Sequence, residues 1–99
     1  MNFNLNDGVL TVSFDGRLDT EAAVKFEAEL AEVCSGNPHT SMIFDAEKLD
    51  YVASSGLRII LKLAKTEKNF SVENVSPAVF SVFEMTGFSR IMTCRVRKK

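Results

Sequence analysis

Phe3 and Leu5 alternate with asparagines, and Leu10, Val12 and Phe14 alternate with polar residues after Asn6-Asp7-Gly8. A period of two marks strands with one buried face, and Asp-Gly supplies the two positive-φ residues of a tight turn. The chain therefore opens on a β-hairpin. Beyond Asp19, a good helix N-cap, the period lengthens: Ala23, Phe26, Leu30 and Val33 recur at helical spacing while Glu21, Lys25, Glu29 and Glu32 take the opposite face. This first helix ends at Ser35-Gly36-Asn37-Pro38. Ser41-Met42-Ile43-Phe44-Asp45 is a short apolar run between turn signals, the pattern of a central strand covered on both faces. A loop follows as far as Ala53. A second helix then carries Leu57, Ile60, Leu61 and Ala64 as one stripe, with Arg58, Lys62 and Lys65 outside it. Phe70 and Val72 mark another strand. Ser76-Pro77 is an N-cap followed by proline at the first helical position, and Val79, Phe80 and Phe83 continue at core spacing to Gly87, which closes a short third helix. Met92, Cys94 and Val96 alternate with polar neighbours as a half-buried last strand at the sheet edge.

The order β-β-α-β-α-β-α-β predicts one α/β domain over residues 1–99, a mixed sheet opened by an antiparallel hairpin and packed with helices. Two of the helices serve as right-handed crossovers between parallel strands. The chain has 99 residues, 45% hydrophobic and 25% charged, ordinary proportions for a folded soluble domain. No apolar run is long enough to span a bilayer, and Met1 to Asp7 has neither a basic region nor an apolar stretch, so a cytoplasmic location is expected. A formal net charge of −1 gives no general attraction to nucleic acid. Arg90, Arg95, Arg97, Lys98 and Lys99 crowd the last ten residues and read as a solvated terminus. Cys34 and Cys94 match no metal-ligand or redox spacing, so free thiols, no metal and no cofactor are expected.

Candidate chemistry concentrates in Asp50-Tyr51-Val52-Ala53-Ser54-Ser55-Gly56-Leu57-Arg58, where two hydroxyls and a glycine stand at the start of the second helix. Ser54, or a residue next to it, is the expected N-cap. The first N–H groups of a helix lack intrahelical partners and carry partial positive charge, so an anion is favoured there. Gly56, without a Cβ, would let a partner or a phosphate approach the first turn. Plain capping also accounts for Ser-Ser-Gly at a helix start. Hydrolase chemistry is disfavoured: Gly-x-Ser-x-Gly is absent, and the single histidine, His39, falls in a turn after Pro38. Asp45, Glu47 and Asp50 lack the glycine and closing glutamate of a calcium loop and read as a solvated loop.

The chain resembles a stand-alone STAS domain, the fold of bacterial anti-sigma factor antagonists and of the cytoplasmic tails of sulfate transporters. The resemblance covers essentially the whole length. It is carried by Gly16-Arg17-Leu18-Asp19 opening the first helix, Ile43-Phe44-Asp45 as the central strand and Tyr51-Val52-Ala53-Ser54-Ser55-Gly56-Leu57-Arg58 opening the second, with Asn74-Val75-Ser76-Pro77 and Gly87-Phe88 later. In antagonists of this family the motif is commonly Asp-Ser-Ser-Gly or Asp-Ser-Thr-Gly, and its first serine is phosphorylated by the anti-sigma factor, itself a serine kinase. That serine aligns with Ser54, and Ala53 stands where the family has aspartate.

The resemblance implies a binding protein and not an enzyme. The unphosphorylated protein would hold an anti-sigma factor kinase through Asp19, Tyr51, Ala53, Ser54, Ser55, Gly56 and Arg58, releasing a sigma factor. Phosphorylation of Ser54 would break the complex, and a serine phosphatase would restore it. Two other classes stay open: a non-enzymatic STAS subunit of a lipid-handling ABC transporter, and an enzyme or small-ligand protein using the Ser54 region as an anion pocket.

Overall fold

The computed structural model describes residues 1–87, 90 and 93–96. Among these residues the strands and helices that follow are β1 (Asn2–Asn6), β2 (Val9–Ser13), β3 (Gly16–Leu18), α1 (Thr20–Gly36), β4 (Ser41–Asp45), β5 (Leu49–Val52), α2 (Ser54–Thr66), β6 (Phe70–Val75), α3 (Pro77–Thr86) and β7 (Thr93–Val96). Five strands form the main sheet in the order β1-β2-β4-β6-β7. The β1–β2 pair is antiparallel, closed by Asp7 at φ 50° and Gly8 at φ 80°, as the Asp-Gly turn requires. β2–β4, β4–β6 and β6–β7 are parallel, each joined through a helix. The mixed α/β domain read from the pattern is present, with one parallel crossover more than expected.

Strand order advances in one direction, and right-handed crossovers then stack α1, α2 and α3 on the same face of the sheet. Burial agrees. In β2 and β4, Leu10, Val12, Met42 and Phe44 are fully buried while Val9, Thr11, Ser13, Ser41, Ile43 and Asp45 are only half-buried. The central strand is thus covered on one face, not on both, and its outward row reads Asn4, Thr11, Ile43, Ser71 and Thr93 across the ladder. Phe3 and Leu5 keep the expected alternation, but at the sheet edge the helical layer leaves them exposed. Phe26 of α1 fills the centre between Phe14 at 5.4 Å and Phe44 at 5.8 Å between ring centroids, and Phe83 of α3 is also fully buried. Among the described residues no helix is long and apolar enough to cross a membrane.

The sequence pattern missed β3 and β5, which pair in parallel as a separate two-stranded sheet. The segment before Ala53, expected as loop, is strand from Leu49 onward. The reason is local. β3 has three residues, and β5 buries Leu49 and Val52 around exposed Asp50 and Tyr51, so neither displays alternation. The α2 stripe is also turned: Gly56, Leu57, Ile59, Ile60 and Leu63 are buried, whereas Leu61 and Ala64 are half-buried. Met92 of the expected last strand, Phe88 of the closing motif and the basic residues Arg97, Lys98 and Lys99 lie outside the described residues.

Candidate functional site

The small sheet explains how two distant motifs meet. Leu18 at the end of β3 pairs with Val52 at the end of β5, and each strand passes through one capping residue into a helix. The Ala53 N–H donates to the Leu18 carbonyl at 2.9 Å, which ties the two caps, Asp19 and Ala53, side by side. Two helix N-termini therefore emerge together at one end of the domain.

The two termini differ in their chemistry. At α1 the Asp19 Oδ1 accepts from the Ala22 N–H at 2.9 Å, and Glu21 adds a carboxylate in the first turn. At α2 the N-cap is Ala53, which offers no side-chain acceptor, and the first turn contains no acidic residue. The cap thus falls one residue before Ser54, within the expected range, and Ser54 occupies the first helical position. The first-turn N–H groups of α2 and their partial positive charge are therefore left uncompensated by any side chain of that turn. Ser54 is exposed, so its hydroxyl stands in solvent at this pole. Ser55 follows with its Oγ buried and without a hydrogen-bond partner.

Gly56 has a different role from the expected open approach. It is buried, and a Cβ there would lie 2.9 Å from Val52 Cγ2 and 3.0 Å from Leu18 Cδ2 and Cγ. Glycine is needed because α2 packs directly on the β3–β5 sheet, and the side on which a Cβ would project is filled by Val52 and Leu18 instead of open to a partner.

Tyr51 is 41% exposed and lies beneath the Arg17 guanidinium, whose central carbon is 4.3 Å from the ring centroid. This cross-strand pair places a fixed cation and an aromatic edge beside the two helix starts. Arg17 belongs to the motif that leads into α1, yet no role can be drawn for it without knowing that β3 pairs with β5. Arg58 is exposed one turn into α2 and lines a groove of about 360 Å³ between α1 and α2, together with Thr20, Val24, Glu27, Ser55 and Lys62. Val24, 70% exposed, joins Ala23 and Ile59 as the apolar part of that wall, and sequence pattern does not single it out because it falls outside the α1 core stripe.

Asp19, Tyr51, Ala53, Ser54, Ser55 and Arg58 are thus gathered at one end, with Arg17 and Val24 added. The single histidine is elsewhere: His39 contacts Glu67, the C-cap of α2, and the 13-residue α2 separates that end from Ser54 by about 19 Å. Asp45 serves the fold, its Oδ1 accepting from the Glu47 N–H and the Asn74 side-chain amide, both at 3.1 Å.

The sequence profile of the STAS domain matches residues 1–99. BtrV of Bordetella bronchiseptica, assigned as an anti-sigma factor antagonist, is 37% identical over a 90-residue alignment covering 86% of this chain and 76% of that protein. The fold is also that of an anti-sigma factor antagonist from Mycobacterium paratuberculosis, with a TM-score of 0.84 at 24% identity over 95% of this chain and 82% of the other. The anti-sigma factor antagonist SpoIIAA, a Bacillus cell fate determinant, shares it in two states. Its unphosphorylated form gives a TM-score of 0.71 at 24% identity, covering 94% of this chain and 87% of the other. Its phosphorylated form gives 0.63 at 23%, covering 94% and 90%.

Proposed function

The chain belongs to the STAS-domain family, and on that premise we propose that it is an anti-sigma factor antagonist switched at Ser54. It is a binding protein and not an enzyme. In the cytoplasm, the unphosphorylated form holds an anti-sigma factor that is a serine kinase, and a sigma factor is released. The contact surface comprises Asp19, the Arg17–Tyr51 pair, Ala53, Ser54 and Ser55, with Val24 and Arg58 along the groove. The kinase then moves the γ-phosphoryl group of ATP to the Ser54 oxygen, ADP leaves, and the Ser54 proton passes to the kinase. A serine phosphatase hydrolyses the phosphoserine and resets the cycle.

The observation that carries this reading is the bare start of α2, with an exposed serine at its first position and neither a side-chain cap nor an acidic residue in its first turn. A phosphate there contributes about 0.3–1 kcal/mol to the folded domain through the helix dipole. Across a packed interface the same phosphate must be desolvated, and a loss of about 2.8 kcal/mol weakens binding a hundredfold. The modification therefore removes the partner while sparing the fold. Two relatives lend support: BtrV by its assignment, and SpoIIAA, which has both unphosphorylated and phosphorylated forms.

The test is the intact mass and peptide map of the protein isolated from its own host. One phosphate, located on Ser54 and lost in Ser54→Ala, is expected. Phosphate confined to another residue, or none on Ser54 under conditions that both induce and silence the partner kinase, would refute the switch.

A further inference from the structure

At the end of α2 remote from Ser54, three segments bring together a thiol, an imidazole and a carboxylate. Cys34 lies in the last turn of α1, His39 in the connection to β4, and Glu67 caps the C-terminus of α2. Their Sγ, ring nitrogen and carboxylate oxygen all lie within 4.8 Å of one another, and each residue is half-buried.

The histidine is held in a particular orientation. Asn37, the C-cap of α1, anchors its own side-chain amide on the Val33 carbonyl at 2.8 Å, and its backbone carbonyl lies 2.7 Å from His39 Nδ1. A carbonyl can only accept, so Nδ1 carries the proton. In the neutral ring Nε2 is then left with a lone pair, and it is this nitrogen that meets the Glu67 carboxylate. Two acceptors facing each other repel unless a positive charge lies between them. That charge is either a second ring proton or a cation bound by both. A ring N–H donated to a backbone carbonyl, with the other nitrogen turned toward a carboxylate and a thiol, is the orientation that metal-binding histidines adopt.

We propose that Cys34, His39 and Glu67 form a zinc site, with Cys34 Sγ, His39 Nε2 and a Glu67 carboxylate oxygen as ligands and one position open. The donor set is one that Zn2+ takes, and thiolate plus carboxylate balance its two charges. Tetrahedral bonds of about 2.0–2.3 Å put neighbouring donors about 3.3–3.7 Å apart; all three donor atoms already lie within 4.8 Å of one another, and a bound ion would draw in the more distant donor and part the His39 Nε2–Glu67 contact. Bound metal would pin the C-terminal ends of α1 and α2 together, the same two helices whose N-termini carry the Ser54 site. Cys34 and His39 stand as Cys-x4-His, but a single such pair is not a metal signature, and Glu67, 28 residues beyond His39, joins it only through the fold.

Titration of the full chain, freed of metal by chelator, with Co2+ and then Zn2+ decides the matter. One equivalent of Co2+ should produce a thiolate-to-metal charge-transfer band that Zn2+ abolishes, and Zn2+ should raise Tm by several degrees. Cys34→Ser should remove the band and weaken Zn2+ binding at least tenfold. His39→Gln, in the connecting loop, should weaken binding comparably and carries the same comparison should Cys34→Ser fail to fold. Cys94→Ser should leave band and affinity unchanged. Absence of a one-to-one cobalt complex, or equal Zn2+ affinity in wild type and His39→Gln, would overturn the site and leave His39 and Glu67 as an ion pair.

Discussion

Ala53→Asp would give α2 the side-chain cap it lacks. Ala53 has φ −83° and ψ 169°, and Asp19, the working cap of α1, has φ −83° and ψ −177°. The two backbones are nearly superimposable, so an aspartate at position 53 can reach the Gly56 N–H as Asp19 reaches that of Ala22. Replacing alanine with a good N-cap residue contributes about 1 kcal/mol, and a carboxylate at the positive pole adds about 0.3 kcal/mol or more. For a domain of this size about 1.3 kcal/mol raises Tm by roughly 5–10 °C. Thermal unfolding followed by circular dichroism at low ionic strength reads this directly, with Ala53→Ser as a neutral cap that separates capping from charge. An unchanged or lowered Tm in both variants would refute the uncapped terminus on which the site description rests. The same experiment bears on the family's departure at this position. A negative group at Ser54 should be tolerated better beside the native Ala53 than beside an introduced aspartate, where two adjacent carboxylates repel. The double variant Ala53→Asp/Ser54→Asp should therefore fall short of additivity by about 0.5 kcal/mol or more.

Gly56→Ala should destabilise by about 1–3 kcal/mol despite alanine's higher helix propensity, because its Cβ would meet Val52 and Leu18 at 2.9–3.0 Å, and urea unfolding would show a lower midpoint. Val24→Lys, at a side chain 70% exposed, should leave Tm within a degree or two yet weaken partner binding at least tenfold by calorimetry; unaltered affinity would remove the groove from the interface. Burial, with the Glu73 charge nearby, pushes the Cys94 thiol up to about 11. At pH 8 its thiolate is then scarcer than in the unfolded chain by about two hundredfold, partly offset by its greater nucleophilicity, so alkylation should be roughly twentyfold slower native than in urea. Equal rates would contradict that burial.

The main sheet and the helices were legible because their patterns are long enough to repeat: Phe26 and Leu30 in α1, Leu10 and Val12 in β2, and Ser76-Pro77 before α3 each signal locally. The site was legible as a segment but not as an assembly. Ser54 and Asp19 were found through their motifs, whereas the β3–β5 pairing that joins them is too short to show periodicity. Gly56 was read as open when it is packed, since a glycine in sequence does not disclose which side of the backbone is occupied. Arg17 and Val24 could not be selected because surface position alone distinguishes them, and the Cys34–His39 pair becomes a cluster only through its long-range meeting with Glu67, which no spacing encodes.

The most direct test of the switch is the affinity of the anti-sigma kinase from the same host for three forms of the protein: unphosphorylated wild type, wild type stoichiometrically phosphorylated on Ser54, and Ser54→Ala, each first shown by circular dichroism to be folded. Equal, tight binding of the unphosphorylated protein and Ser54→Ala, with Kd at least a hundredfold higher for the phosphorylated form, is the predicted result. Indistinguishable Kd values for the phosphorylated and unphosphorylated forms would contradict it.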